Sequence, residues 1–506
     1  MSQASPDASL SIAKLPAVVT NLLERAKLPL LAGVKTPTTL FVRYLRRKPG
    51  RGLAVIYDMD EGQPSKKKRV NDLYHSLSLT LDERVLEGSR IRFSEAQALH
   101  TAFLIQPSGV LRAEDLGLAV QAFPADDSLP ALAVSCDVTS QSVFLQDLQA
   151  AARKQLGDQG WQLVSAMVIP VRYKPASRCV LRYMLTLERL VGTVPEHRNV
   201  TLFGKVHADR QQARAVQFLQ QRLYQEQITK RSNKIAGHAI DMPVLPQPLG
   251  INETLGLTFN EAVQPVHAEE LLHPGGQVLR PSIVYGRGGE VTNVVIPTEE
   301  LRLTAIALAR LHTSAVSLNQ DVVRTGTKEA KRIGERAFLI ASHNPSNAEE
   351  VQRLAQQLVF QLEAQRPDIY RPAHGGFKAS QLLFHSNQVF VVDFDGFCLA
   401  DAALDVGYFL AYLRPSGLWY ARAGMREWFT ASAGIFTNTY KQAMIELGES
   451  LTSVESILER VRLYEAALLF KIATRRVNRL NSPRPKELST MLREIAACLF
   501  HEPGRE

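Results

Sequence analysis

The chain has 506 residues, 45% of them hydrophobic and 22% charged, with a formal net charge of +9. This composition excludes general disorder, gives about two to four domain-sized units, and favours anionic partners such as nucleotides, phosphorylated metabolites, nucleic acid or lipid headgroups. Four scattered cysteines, Cys136, Cys179, Cys398 and Cys498, exclude a disulfide framework or a Cys-x-x-Cys zinc cluster. Neither a basic, apolar leader nor a long apolar run occurs, so the expectation is a cytoplasmic protein with no transmembrane segment.

In chain order, Ala17 to Leu28 predicts a helix. Leu40 to Arg46 and Leu53 to Met59 predict a hairpin around Lys48-Pro49-Gly50-Arg51. The basic run Ser65-Lys66-Lys67-Lys68-Arg69 has the composition of a nuclear-import or nucleic-acid patch, but between strand candidates it reads as a solvated loop. Pro124 and Pro130 punctuate a boundary at 125 to 150. Gln162 to Tyr173 and Arg178 to Leu187 form a second hairpin pattern around Lys174-Pro175-Ala176-Ser177, and its turn echoes the first without gaps, from Lys48 to Tyr57 against Lys174 to Tyr183.

A strand from Thr201 to His207, a polar helix from Asp209 to Gln227, a loop marked by Pro243, Pro246 and Pro248, and a strand from Leu257 to Val263 follow. Thr298 to Ala315 places Leu301, Ala305, Leu308 and Leu311 at helical spacing, and Leu418 to Phe500 is helical by the same test. Strands first and helices afterwards predict an α+β chain with segregated lobes.

The chemistry concentrates in His374-Gly375-Gly376-Phe377-Lys378-Ala379-Ser380-Gln381 and Val389 to Gly396. A polar loop enters a short strand, Ser386-Asn387 turns the chain, and an apolar strand ends at Asp393 and Asp395. Such a hairpin brings Gln381 and Asp393 together, and an amide oxygen beside a carboxylate suits Mg²⁺, which takes hard oxygen ligands and shares them with phosphates.

This segment resembles the catalytic and metal loops of aminoglycoside phosphotransferases, choline-kinase-like enzymes and bacterial maltokinases. Their pattern is His-Gly-Asp, four residues, Asn or Gln, then a strand and Asp-Phe-Asp or Asp-Phe-Glu. Leu308-Ala309-Arg310-Leu311-His312 and Asp401-Ala402-Ala403-Leu404-Asp405 resemble two further family segments in the right order. The resemblance implies a protein-kinase-like bilobal fold: a cap-like α+β domain at 1–145, a β-rich N-lobe at 146–265 and a helical C-lobe at 266–506, with a nucleotide cleft between the lobes. It implies ATP or another NTP as cofactor with Mg²⁺. Nucleotide binding falls to Lys205, to Glu226 as its ion-pair partner unless that is an ordinary exposed glutamate, and to the hinge at Glu261 and Val263. Gln381 and Asp393 become the metal ligands.

The departure is Gly376, which stands where the family has the aspartate that accepts the acceptor's proton. Loss of a general base costs ~10²–10⁴ in rate. Lys378 is the candidate to bind the transferred phosphoryl group and Asp395 the candidate substitute base, by the same-side argument for an extended chain. His374 is expected to brace the loop, Asp401 and Asp405 to cap and brace, and Lys471, Arg475, Arg476 and Arg479 to form a basic helix face, solvated unless it meets a substrate or partner.

Two functions remain open. One is an ATP-dependent phosphotransferase acting on a hydroxyl of a sugar, amino alcohol or aminoglycoside-like molecule; the other is a pseudokinase or nucleotide-regulated binding protein. Nucleic acid is set aside as a partner because no zinc-finger, helix-turn-helix or RNP pattern accompanies the positive charge.

Overall fold

The computed structural model describes residues 9–26, 39–48, 52–60, 73–87, 90–106, 109–139, 142–229, 234–235, 238–239, 245–263, 272–316, 323–365, 367–385, 388–416, 421–477 and 487–500. The 49–51 part of the first turn, Leu28, the basic run Ser65 to Arg69, Pro243, the Ser386-Asn387 turn, Leu418 and Arg479 lie outside the described residues. The chain has a β-rich N-terminal region and a helical C-terminal region, a mixed α/β arrangement of the kinase-like type. It divides into two compact units, Met1–Gln217 with Pro248–Ala262, and Phe218–Gln247 with Val263–Glu506.

In the first unit, helix α1 (Leu15–Ala26) precedes strands β1 (Thr39–Lys48), β2 (Gly52–Asp60), β3 (Ser76–Leu81), β4 (Leu104–Gln106), β5 (Val110–Ala113) and β6 (Leu118–Ala122). These strands pair in the order β1-β2-β3-β6-β5-β4. After helix α2 (Leu145–Leu156), strands β7 (Gln162–Lys174), β8 (Arg178–Val191) and β9 (Val194–His207) form a meander. Helix α3 (Arg210–Thr229) and strands β10 (Pro248–Asn252) and β11 (Leu257–Glu261) follow, giving the sheet order β7-β8-β9-β11-β10.

Along β8, Cys179, Leu181, Tyr183, Leu185 and Leu187 are buried in strict alternation, so one face of this sheet makes core. That core is shared with the N-terminal sheet's side of the unit. Phe123 meets Tyr173 edge to face with ring centroids 5.2 Å apart, and the Tyr183 hydroxyl donates to Ser135 O at 2.7 Å. Buried Asp126 accepts from the Tyr173 hydroxyl at 2.7 Å and from the Ala176 N–H at 2.9 Å, fixing the β7–β8 turn.

The second unit takes in α3 from Phe218 onward and, after Val263, the hairpin β12 (Ser282–Tyr285) and β13 (Val291–Val295), followed by α4 (Thr298–His312). Glu299 and Glu300 in its first turn complement the helix dipole, and Leu301, Ala305, Leu308 and Leu311 are all buried, as their spacing predicts. Then come β14 (Val323–Arg324), helices α5 (Gly326–His343) and α6 (Ala348–Ala364), β15 (Arg371–Ala373), the hairpin β16 (Leu382–His385) with β17 (Gln388–Val391), and β18 (Cys398–Ala400). Helices α7 (Ala403–Leu413), α8 (Met425–Glu446), α9 (Leu451–Val477) and α10 (Leu488–Phe500) complete the unit. β14 and β15 flank β18, which ties the segments before and after the loop at 374–381 into one small sheet.

Candidate active site

The loop between β15 and β16 is held by buried groups. The His374 N–H donates to Asp405 Oδ2 at 2.5 Å, with the Phe377 N–H 3.5 Å from Asp405 Oδ1. Behind Asp405, His312 Nε2 lies 3.5 Å from the same Oδ2, while His312 Nδ1 bonds the Tyr440 hydroxyl at 2.7 Å. The last residue of α4, the first turn of α7 and the loop thus meet at one buried carboxylate. Burial pushes the Asp405 carboxyl up, but the His312 contact, the charges nearby and the His374 N–H outweigh it and hold the group below the usual carboxylate range.

His374 is itself buried, with its ring against Phe377 and Phe394 and Nε2 3.2 Å from Val392 O. Burial pushes its imidazole down, against the opposing charge of Asp405, so the ring is held neutral. That environment suits a brace.

The two loop glycines differ. Gly375 has φ +73°, and a Cβ there would stand 2.0 Å from Gly396 O, so glycine is required. Gly376 has no such constraint: a Cβ there meets nothing within 4 Å. The backbone at 376 therefore needs neither the space of a missing Cβ nor a left-handed turn.

Leu382 pairs with Val391 across the β16–β17 hairpin, and one step further the Val392 N–H donates to Gln381 O at 2.9 Å. This puts Gln381 against the strand that delivers Asp393. Gln381 is buried, yet its side-chain Oε1 has no hydrogen-bond partner, an orphaned acceptor that a cation would satisfy. Asp393 sits at φ +73°, a left-handed turn in which Asp is tolerated better than most residues. An amide oxygen and a carboxylate from adjacent strand ends fit Mg²⁺ with the remaining positions left to water and phosphate. Among the described residues, no group of three His, Cys, Asp or Glu could hold a metal.

Phe394–Gly396 is a 3₁₀ turn starting from the left-handed Asp393, so the chain is not extended and the same-side argument for Asp393 and Asp395 fails. Lys378 is half-buried, with its ammonium 5.5 Å from the centre of the Tyr412 ring. Asp401 receives a two-pronged ion pair from Arg460, Nε to Oδ2 at 2.6 Å and Nη2 to Oδ1 at 3.1 Å, and accepts the Ala403 N–H, so it caps α7 and braces α9.

In the first unit, Lys205 lies on β9 between Val180 of β8 and Thr258 of β11. Leu202 is opposite Glu261, and the chain passes from the first unit to the second after Ala262, immediately before Val263. The Glu226 carboxylate accepts the Ala315 N–H through both oxygens, at 2.9 and 3.1 Å. On α3, Ala213, Val216, Leu219 and Leu223 are buried together with Gln217, Gln220 and Gln227.

Arg324 is the functional residue that sequence reading missed. Its Nη1 donates to Gly375 O at 2.7 Å, Nε to Glu329 Oε1 at 2.6 Å and Nη2 to the Tyr408 hydroxyl at 2.6 Å. A two-residue strand gives no periodicity, and the arginine reaches the loop only because β14 pairs in parallel with β18.

The arrangement is a glycine-turned loop braced by a buried aspartate and followed by a hairpin that ends in a second aspartate. Residues 266–433, which contain all of it, match the family model described as "Phosphotransferase enzyme family", and that match marks the segment as part of a kinase-like enzyme. Among solved structures, the chain is similar to a glucosamine kinase (crystal form A) at 14% identity and TM-score 0.41, over 93% of this chain and 94% of that one. It is similar to a choline/ethanolamine kinase family protein from Mesorhizobium loti at 14% identity and TM-score 0.38, over 63% and 85%. A thermostable mutant of the aminoglycoside phosphotransferase APH(4)-Ia, in ternary complex with ADP and hygromycin B, is similar at 12% identity and TM-score 0.37, over 71% and 99%. No curated protein matches the chain. Among the described residues, no helix is long and apolar enough to cross a membrane.

Proposed function

We propose that the protein transfers the γ-phosphoryl group of ATP, or of another NTP, to a hydroxyl of a small molecule. The observation that carries this reading is the orphaned, buried Gln381 Oε1 beside the strand leading to Asp393, inside the segment that matches the phosphotransferase family model. Gln381 and Asp393 would hold Mg²⁺, which when bound supplies charge neutralisation for the nucleotide's phosphates. Lys205 would bind nucleotide phosphates, with Glu226 assisting, and Glu261 and Val263 would meet the base through backbone groups.

In the reaction a bond forms between the acceptor oxygen and phosphorus, the bond from the γ-phosphorus to the leaving diphosphate breaks, and the acceptor's proton departs. Asp405 and Arg324 fix the loop at His374 and Gly375, so that Lys378 is offered to the transferring group from a set backbone. Gly376 has no carboxylate for the departing proton, and Asp395 or the substrate takes it.

Gly376 also favours a second reading, in which nucleotide binding persists without efficient turnover and the protein acts as a pseudokinase or nucleotide-regulated binder. The first 145 residues serve as a cap domain in either case. The test is product formation from radiolabelled ATP with hydroxyl acceptors: labelled acceptor supports the transferase, and nucleotide binding without any labelled product supports the second reading.

A further inference from the structure

Next to the catalytic loop is a cluster in which cations outnumber carboxylates. Glu329, on α5, is fully buried and is paired with Arg324 and with Arg332. The Tyr408 hydroxyl, which receives the Arg324 bond, also lies 3.1 Å from Glu329 Oε2. Burial pushes the Glu329 carboxyl up, but the Arg324 hydrogen bond and the charges of Arg324, Arg332 and Arg336 outweigh it, and the group is held at about 2. Its one negative charge is therefore kept at neutral pH, and it is shared between two arginines.

Lys471 faces this cluster from α9, and exposed Arg475, one turn further along the helix, adds its charge to the field at Lys471. The Lys471 ammonium lies 5.5 Å from the centre of the Tyr408 ring, and the Arg324 guanidinium lies 5.1 Å from the centre of the same ring. Arg336, on α5, donates to Ala467 O at 3.2 Å, which brings that arginine onto α9 one turn from Lys471. Among the described residues no carboxylate pairs with Lys471, Arg336 or Arg475, whereas the adjacent Arg476 is matched by Glu487 at 3.1 Å. Burial, with Arg336, Arg475 and Arg324 adding repulsion, pushes the Lys471 ammonium down to about 7. A fold that gathers more positive charge around Lys471 and Arg336 than the one carboxylate of Glu329 offsets is left with an unfavourable term that an incoming dianion would reverse.

We infer that Lys471, Arg475, Arg336 and Arg324 form a binding site for a phosphate dianion beside the catalytic loop, and that it receives the phosphate of an acceptor that is already a phosphomonoester. This rests on the phosphotransferase reading and narrows it. Arg324 joins the cluster to Gly375, so an acceptor anchored here by its phosphate presents its other end near Gly376. A protonated amine, as in an amino alcohol or an aminoglycoside, would be repelled by the same cations. A single carboxylate is the weaker match, because two or more of these positive charges have no counterpart.

Calorimetry on the full chain tests this, with inorganic phosphate, glucose 6-phosphate and glucose as probes and Mg²⁺·ATP as an internal control. The variants are Lys471→Met, which keeps the stem's packing, and Arg475→Ala at an exposed position that should not disturb folding. The expected result is that glucose 6-phosphate binds more tightly than inorganic phosphate, glucose does not bind, and each variant weakens phosphate binding tenfold or more with Mg²⁺·ATP affinity unchanged. Equal affinity for inorganic phosphate and glucose 6-phosphate would overturn the acceptor assignment and leave a free-phosphate site. Phosphate binding that is absent, or untouched by both substitutions, would overturn the site altogether, as would binding seen only with a polynucleotide. Loss of Mg²⁺·ATP binding by the wild type would instead strike at the phosphotransferase reading.

Discussion

Asp405 Oδ2 accepts the backbone N–H of His374 at 2.5 Å, and both residues are buried. A side chain on α7 therefore sets the backbone of a loop at the far end of β15. Replacing Asp405 with Ala leaves that N–H and His312 facing a void. Leaving a buried donor unsatisfied costs about 1–3 kcal/mol, so Asp405→Ala should lower the chemical-denaturation midpoint and abolish transfer. Asp405→Asn, which keeps one acceptor oxygen, should lose less stability.

The loop glycines should respond in opposite ways. Gly375→Ala forces a Cβ to 2.0 Å from Gly396 O at a positive φ and should cost on the order of 2 kcal/mol or more, measured by thermal or chemical unfolding. Gly376→Asp enters open space and should leave stability within about 1 kcal/mol of the wild type. If the remaining site is competent, its new carboxylate raises transfer by up to ~10²–10⁴-fold. A slower Gly376→Asp variant alongside a brisk wild type would mean that proton removal already has another agent.

Acid should unfold the second unit through its buried ionic groups. Glu329 is held at about 2 against an unfolded value near 4.3, so its contribution is complete above the unfolded value and is lost as pH falls toward 2. The integrated effect is about 3 kcal/mol. Asp405, also held low, has the same sign, and His374, kept neutral by burial, adds a loss that begins as pH falls below about 6.5. A stability profile that is flat from pH 7 to 3 would contradict this accounting.

Lys471 titrates in the other part of the range. Its folded value is depressed to about 7, so the unfolded chain binds the extra proton and stability rises with pH between 7 and about 10.4. Arg324, Arg336 and Arg475 face it with fixed positive charge, and Glu329 alone opposes them among the groups named around it. Lys471→Met should therefore be more stable than the wild type near pH 6, with the difference vanishing above pH 10. In the wild type, phosphate should bind more weakly as pH rises through the same titration.

What the sequence made legible was local. Alternation from Arg178 to Leu187 and helical spacing from Leu301 to Leu311 foretold elements that the fold contains, because each pattern is the footprint of one buried face. The loop and hairpin from His374 to Asp393 were legible for the same reason. Arg324 was not, since its bond to Gly375 depends on a parallel pairing between distant short strands. Nor could spacing show that Asp393 turns left-handed, which defeats the extended-chain argument for Asp395. The basic face of α9 was visible as Lys471 and Arg475, but only packing distinguishes these two from Arg476, which Glu487 neutralises.

If Gln381 and Asp393 hold the metal that accompanies a nucleotide, calorimetric titration of ATP with and without Mg²⁺ will separate the wild type from Gln381→Ala and Asp393→Ala. ATP binding should be strengthened at least tenfold by Mg²⁺ in the wild type and lose that Mg²⁺ dependence in both variants. ATP affinity that is indifferent to Mg²⁺, or equally Mg²⁺-dependent in Asp393→Ala, would contradict this assignment.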